Sequence, residues 1–371
     1  MRELIALVMP AGPAFVAELQ RTWGDGDAVL PIDVRLPQAL QTRLIDSIGP
    51  SVIVDESGTR RARSGARPVE TGDALVVATS GTTGAPKGAV LTHDAVRASA
   101  LAASARLGIE PDRHRWLCCL PVAHVGGLSV ITRALHTGTP LDVHPGFDAA
   151  DVQAAAQAGA THTSLVPAAL ARIDPSIFER ILLGGSAPPE RVPVNCTLTY
   201  GMTETGSGIW YDQRALDGVE VEIRDGQVHV RCPMLLRAYR SAGSDTDPKS
   251  ADGWFATGDA GVLTSAGQLV VHGRGDQVIV TGGEKVWPEA VERVLIGHPK
   301  VSDVLVVRRD DPAWGQIVVA HVVLVTGVDT LALDELRDFG RDLLAPYALP
   351  RAIEFVSSLE RTALGKLRRT C

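Results

Sequence analysis

Nine consecutive residues, Ser80-Gly81-Thr82-Thr83-Gly84-Ala85-Pro86-Lys87-Gly88, hold three glycines, three hydroxyls and a lysine. They follow an apolar run, Ala74-Leu75-Val76-Val77-Ala78-Thr79, that reads as a strand. Glycine lets backbone N–H groups come close to a phosphate, hydroxyls add donors, and lysine supplies a point charge. The segment is not a P-loop, which needs four residues between its first glycine and a Gly-Lys-Ser/Thr triplet. Here Pro86 precedes Lys87 and Gly88 follows it. Clusters of Gly, Thr and Pro also mark ordinary surface loops, so other segments must supply the rest of a phosphate site.

Such segments recur after apolar runs. Tyr200-Gly201-Met202-Thr203-Glu204-Thr205 ends one, and an acid beside a hydroxyl at a strand's C-terminal end suits magnesium and phosphate. Gly184-Gly185-Ser186-Ala187-Pro188 follows another; its backbone could frame a flat ring or simply turn from strand to helix. Thr257-Gly258-Asp259 follows Trp254-Phe255-Ala256. An aspartate accepts two hydroxyl hydrogen bonds, as a ribose diol requires, although Gly-Asp is most often a turn. Gly273-Arg274-Gly275-Asp276 and Gly282-Gly283-Glu284 come next, with glycines that free the backbone to swing. Near the end stands Thr362-Ala363-Leu364-Gly365-Lys366-Leu367-Arg368-Arg369, a basic tail of a kind that is usually solvated.

With these six segments in this order, from about residue 73 to the C-terminus, the chain resembles the adenylate-forming superfamily. Its members are acyl-CoA synthetases, peptide-synthetase adenylation domains and luciferases. The resemblance implies that Thr79, Ser80, Gly81, Thr82, Thr83, Gly84 and Lys87 serve the phosphates of ATP. It implies that Gly184, Gly185, Ser186 and Ala187 frame the adenine, on which Tyr200 stacks, and that Gly201 and Met202 also belong to the ATP/AMP site. Thr203 would contact the α-phosphate, Glu204 would hold Mg²⁺, Asp259 would bind the ribose, and Arg274 would assist there. Asp276 matches a hinge, and Gly282 and Gly283 match a loop lining the tunnel for coenzyme A. Lys366 matches a catalytic lysine that bridges the acid and the α-phosphate in the first step. ATP, Mg²⁺ and coenzyme A as co-substrate follow from the same resemblance.

The acid is read from two further segments. Leu120-Pro121-Val122-Ala123-His124-Val125-Gly126-Gly127-Leu128 looks like the superfamily's gate, with His124 as a pocket wall or a carboxylate contact. Thr161-His162-Thr163-Ser164-Leu165-Val166-Pro167 then leads to Arg172. This stretch, with Ser164 as an acyl contact, is similar to the o-succinylbenzoate–CoA ligases of menaquinone biosynthesis. Their substrate is an aromatic keto-diacid whose distal carboxylate needs a cation; Arg172 is the nominee, and a surface arginine on a helix is the alternative. Another aryl- or acyl-CoA synthetase would share the chemistry. A non-catalytic nucleotide-binding regulator is the reading from a different class, and Lys366 and Glu204 speak against it.

The elements that must position these residues form an α/β fold. The chain has 371 residues, 45% hydrophobic and 21% charged, enough for two or more domains. Apolar strands over 116–120, 140–143, 163–166, 180–183 and 197–200 alternate with helices over 94–106 and 148–158, for which Asp94 and Asp148 are candidate N-caps. That alternation predicts layered parallel sheets. Residues 3–20 read as a helix-like stretch broken by Pro10, Gly12 and Pro13, and residues 57–68 as a polar loop. Residues 218–274 carry hairpin signals, Asp225-Gly226 above all, and predict a small antiparallel barrel or sheet. The expected division is a large N-terminal domain over 1–275, including that subdomain, and a small mobile α+β domain over 276–371 hinged at Asp276. Many members of the superfamily carry a longer N-terminal region.

Net charge is −7 with no basic block, which argues against a nucleic-acid surface. No apolar run approaches the roughly 20 residues of a membrane span, and no signal peptide is evident, so a cytoplasmic protein is expected. The partners are then a small carboxylic acid, ATP and coenzyme A, with a homodimer left open. Cys118 and Cys119 fall on opposite faces of one strand, and without a Cys-x-x-Cys pair the five cysteines read as small apolar side chains and a terminal thiol. Only five of the 36 basic residues are lysines, and Lys87 and Lys366 both lie beside glycine.

Overall fold

The computed structural model describes all residues except Met1, 80–85, 186–187, 190, 362–366, 368 and 370–371. The expectations placed on Ser80, Gly81, Thr82, Thr83, Gly84, Ser186, Ala187, Lys366 and Cys371 therefore lie outside the described residues. The chain divides into two units, residues 1–220 with 230–255, and residues 221–229 with 256–371. Among the described residues no helix is long and apolar enough to cross a membrane.

Leu4–Val8 is almost wholly buried, and this unbroken apolar run forms a strand parallel to Ala28–Pro31 on one side and Val52–Asp55 on the other. Burial on both faces is what a parallel sheet demands. The stretch expected as an interrupted helix is thus a strand followed by the helix Pro13–Gly24, with Pro13 fitting the first turn, where no N–H is needed. The first unit's larger sheet runs Asp245–Thr246, Ala238–Arg240, Lys87–Thr92, Asp73–Thr79, Ala28–Pro31, Leu4–Val8, Val52–Asp55, Arg60–Ala62. Arg60–Ala62 pairs antiparallel with Val52–Asp55, so part of the expected polar loop is an edge strand. Buried Arg240 donates to the carbonyls of Ile48, Gly49, Arg67 and Pro68 and ties this compact N-terminal region to the sheet.

A second sheet in the same unit runs Arg214–Ala215, Ser207–Tyr211, Cys196–Met202, Arg180–Leu183, His162–Leu165, Trp116–Cys118, Leu141–Val143. Its central strands are parallel, as the alternating pattern predicted. Helices His93–Leu107 and Val125–Thr137 pack on each other. The first touches strands of both sheets, so helices fill the layer between them. Asp148 caps its helix by accepting from the N–H groups of Ala150 and Asp151. Asp94 is not a cap. Thr92 takes that position, accepting from the Ala95 N–H, and Asp94 lies in the first turn, where its charge suits the helix dipole.

In the second unit one sheet runs Glu220–Arg224, Gln227–Arg231, Phe255–Leu263, Leu269–Arg274. Asp225 and Gly226 both have positive φ, 50° and 79°, as the expected tight hairpin requires. Among the described residues the strands form a sheet, with no closed barrel. A further sheet of five strands carries helices Pro288–Leu295 and Leu333–Gly340 over a core that includes Val291, Leu295, Val304, Val318 and Leu336.

His162, only 3% exposed, lies against His114 and Trp116. Burial, then the charges of His114, Arg180 and Arg113, push its imidazole down to about 4 from an ordinary 6.5. The folded protein therefore resists a proton that the unfolded chain accepts. This contribution to stability is intact above pH 6.5 and lost as pH falls towards about 4. The urea midpoint should fall between neutral pH and pH 5, and His162→Asn, which keeps a side-chain partner for Thr161, should shrink that fall. An unchanged pH dependence in the variant would contradict the assignment.

Candidate active site

Three segments distant in sequence meet in the first unit. Thr79 and Lys87 face each other across the antiparallel pair Asp73–Thr79 and Lys87–Thr92, and the Thr79 hydroxyl donates to the Lys87 carbonyl at 3.4 Å. On the other side of Lys87–Thr92 lies Ala238–Arg240. Lys87 Nζ sits 3.5 Å from the centroid of the Tyr239 ring. The Tyr239 hydroxyl donates to Glu204 Oε1 at 2.6 Å.

Glu204 belongs to the turn Thr203–Thr205 that ends the strand Cys196–Met202. Thr205 holds the turn: its hydroxyl accepts from the Met202 N–H and lies 2.7 Å from the Ser207 carbonyl, which it can donate to. The Leu236 N–H donates to the Glu204 carbonyl. Gly201 is required by close approach, because a Cβ there would collide with the Ser207 carbonyl. Gly184 is held likewise against Thr199, and Leu183 pairs with Leu198, so Gly184 and Gly185 lie beside the segment leading to Tyr200. Gly184 and Gly185 thus follow one strand and Tyr200 and Gly201 lie on the adjacent parallel strand, with Met202 and Thr203 directly after. Glu204 fits a magnesium ion held mainly by phosphate oxygens and water, which needs few protein carboxylates, and Lys87 suits the phosphates themselves. No cluster of three metal-binding side chains occurs among the described residues.

His124 stands at the residue before the helix Val125–Thr137, and its Nε2 lies 3.5 Å from Asp33 Oδ2. Asp33, 7% exposed, is gripped by the fork of Arg35 at 2.8 and 2.6 Å. Burial works to raise the Asp33 carboxyl, but the hydrogen bonds from Arg35, with the His124 imidazole close by, prevail and hold it below the usual range. Sequence reasoning did not reach Asp33, since its partner lies some ninety residues away.

Arg133 was missed as well. It is 3% exposed on the helix Val125–Thr137. Its guanidinium meets the hydroxyls of Ser207 at 2.8 Å, Ser129 at 3.0 Å and Ser164 at 3.5 Å, beside the Trp116 ring. Its Nε has no hydrogen-bond partner among the described residues. No described carboxylate neutralises it, an arrangement that is costly unless an anion arrives. Ser164 is thus brought to a buried cation. Arg172, by contrast, is exposed and stacked on Phe147 at 4.9 Å.

Within the second unit Asp259 and Arg274 are direct partners across Phe255–Leu263 and Leu269–Arg274, with Nη1 3.4 Å from Oδ1. Arg274 also donates to the Thr257 carbonyl, and Arg274 Nε lies 3.6 Å from Asp276. Gly282 and Gly283 turn between Ile279–Thr281 and Glu284–Val286 with φ of 58° and 87°. Arg361 pairs with Asp303, and Arg369 with half-buried Glu292, each at 2.6 Å. Burial pushes the Cys119 and Cys232 thiols up to about 11, which makes them poor nucleophiles.

Residues 55–230 match the AMP-binding enzyme family and residues 290–366 the AMP-binding enzyme C-terminal domain. The chain belongs to this family of adenylate-forming enzymes. It is 36% identical to a probable 2-succinylbenzoate–CoA ligase of Mycobacterium tuberculosis, covering 98% of this chain and 96% of the relative. It is 33% identical to a 2-succinylbenzoate–CoA ligase of Bacillus cytotoxicus, over 79% of this chain and 68% of that one. Its fold matches o-succinylbenzoate CoA synthetase of Bacillus subtilis in complex with an acyl-adenylate intermediate, with TM-score 0.85, 27% identity, and coverage of 98% and 87%. The same enzyme with ATP and magnesium ion matches with TM-score 0.86, 26% identity, and coverage of 98% and 88%.

The lowered Asp33 carboxyl gives a stability contribution that is full above its unfolded value of 3.8 and is lost as pH falls through the lower folded value. Asp33→Asn should therefore reduce the urea midpoint at neutral pH, and the gap from wild type should narrow below about pH 4. A gap that stays constant into acid would contradict this.

Proposed function

We propose that this protein joins 2-succinylbenzoate to coenzyme A, first forming an acyl-adenylate from ATP and releasing pyrophosphate and AMP. The likeness to 2-succinylbenzoate–CoA ligase across nearly the whole of both chains carries this reading. A carboxylate is a poor electrophile. Its oxygen attacks the α-phosphorus, pyrophosphate leaves, and the mixed anhydride then accepts the thiol of coenzyme A. The protein's task is to position charge as it develops.

Lys87 supplies a fixed cation to the phosphates, and Thr203 donates to the α-phosphate oxygens. Glu204 holds the magnesium ion, which when bound would neutralise phosphate charge. Tyr200 and the Gly184-Gly185 backbone orient the adenine, and Asp259, steadied by Arg274, takes the ribose hydroxyls. His124, aligned by Asp33, forms a wall of the acyl pocket. Lys366 bridges the acid and the α-phosphate in the first step. In the second, rotation at Asp276 exchanges it for the Gly282-Gly283 loop. ATP and coenzyme A are cytoplasmic metabolites, and we expect the protein to work there.

For the distal carboxylate, Arg133 is a better candidate than Arg172. It is buried without an acid, and an incoming carboxylate would offset its charge. Ser164 and Ser207 add donors beside it.

Pyrophosphate exchange into ATP with a panel of acids tests the substrate. 2-Succinylbenzoate should far exceed benzoate and the ester that masks its distal carboxylate. Equal rates across the panel would sink the assignment. Arg133→Leu should raise KM for 2-succinylbenzoate by about tenfold or more, as loss of a buried charged hydrogen bond implies, while KM for ATP holds. Arg172→Leu should change KM for the acid far less; the reverse ranking would restore Arg172 to the role. Lys366→Ala should abolish acyl-adenylate formation yet spare thioester formation from supplied acyl-adenylate, and equal loss of both steps would overturn that role.

A further inference from the structure

Tyr239 stands between two oppositely charged groups that serve one ligand. Strand pairing sets Tyr239 opposite Ala89, so Lys87, two residues back, projects from the same face. The lysine ammonium lies over the ring, whose face attracts a cation. At the other end of the same side chain the phenol donates to Glu204 in a short, charge-assisted hydrogen bond. Lys87 and Glu204 make no ion pair with each other. Had they paired directly, each ligand would have to break a salt bridge before binding.

We propose that Tyr239 is a positioning residue for the magnesium–nucleotide complex. It holds the phosphate cation and the metal carboxylate in place and apart, through two contacts that phosphate and metal can each replace. The assignment rests on the reading that Lys87 and Glu204 bind phosphate and Mg²⁺. Because the ring serves the lysine and the hydroxyl serves the glutamate, the two halves of the role can be separated.

Tyr239→Phe keeps the ring and removes the hydroxyl; Tyr239→Leu removes both. Pyrophosphate exchange should be measured while Mg²⁺, ATP and the acid are varied in turn. Tyr239→Phe should change the Mg²⁺ concentration for half-maximal rate by about tenfold or more, the scale of one hydrogen bond to a charged group. Its KM for ATP at saturating Mg²⁺ should stay within about twofold, since the cation–π contact is kept. Tyr239→Leu should also raise KM for ATP by about threefold to tenfold. KM for the acid should hold in both. A tyrosine that merely fills space would not split Mg²⁺ from ATP in this way, so equal shifts in all three constants, or none, would overturn the proposal. Lys87→Ala and Glu204→Gln are measured alongside. If they alter the ATP and Mg²⁺ dependence while both Tyr239 variants do not, the Tyr239 role alone is wrong. If they too leave it unchanged, the nucleotide site has been misread and the Tyr239 role falls with it.

Discussion

The pairing of Ala238–Arg240 with Lys87–Thr92 is the contact on which the nucleotide site depends. It brings a strand from beyond residue 230 to the strand that begins with Lys87, the lysine proposed to meet the phosphates, and so sets Tyr239 between Lys87 and Glu204. Backbone hydrogen bonds fix this register, because a slip by one residue would turn Tyr239 to the opposite face. Arg240, the next residue, is buried among four carbonyls of the 48–68 region. The same short strand therefore anchors the N-terminal region and aligns the charges of the site. An ordinary loop could not hold a cation and a carboxylate at fixed positions with comparable precision.

Charge is distributed with the same economy. Lys87 is met by a π face, and Arg133 by hydroxyls, so neither is neutralised by a described protein acid. Under the proposed function, a triphosphate and a dicarboxylate would carry the missing negative charge. Asp33 is treated differently. It is matched by Arg35 and His124 within the protein, and its work is to align an imidazole. Cations left without acids and an acid left fully paired describe a pocket built for anions.

The segments that can be read locally were legible in the sequence. Gly201, packed on Ser207, and the Asp225-Gly226 turn are dictated by close approach or positive φ within a few residues, Gly184 packs on Thr199 of the adjacent strand, and the Thr-Glu pair at 203–204 stands out as a motif. Asp259 and Arg274 were legible as separate motifs and prove to be cross-strand partners. Tyr239, Asp33 and Arg133 were not legible, because their meaning lies in register and burial. Arg133 is one arginine among 31, and only the helix between two sheets reveals that it is enclosed. Leu4–Val8 was misread because an apolar run without alternation does not distinguish a buried strand from part of a helix. Asp94 lost the cap to Thr92 because the strand Lys87–Thr92 runs directly into a helix that begins at His93.

Attack by the acid on the α-phosphorus is the chemical claim to which all of these placements lead. It can be followed by supplying 2-succinylbenzoate labelled with heavy oxygen in its carboxylates, with ATP, Mg²⁺ and coenzyme A, and locating the label by mass spectrometry. One labelled oxygen should appear in the phosphate of AMP for each thioester formed. Unlabelled AMP, or label in inorganic phosphate alongside ADP, would contradict the account.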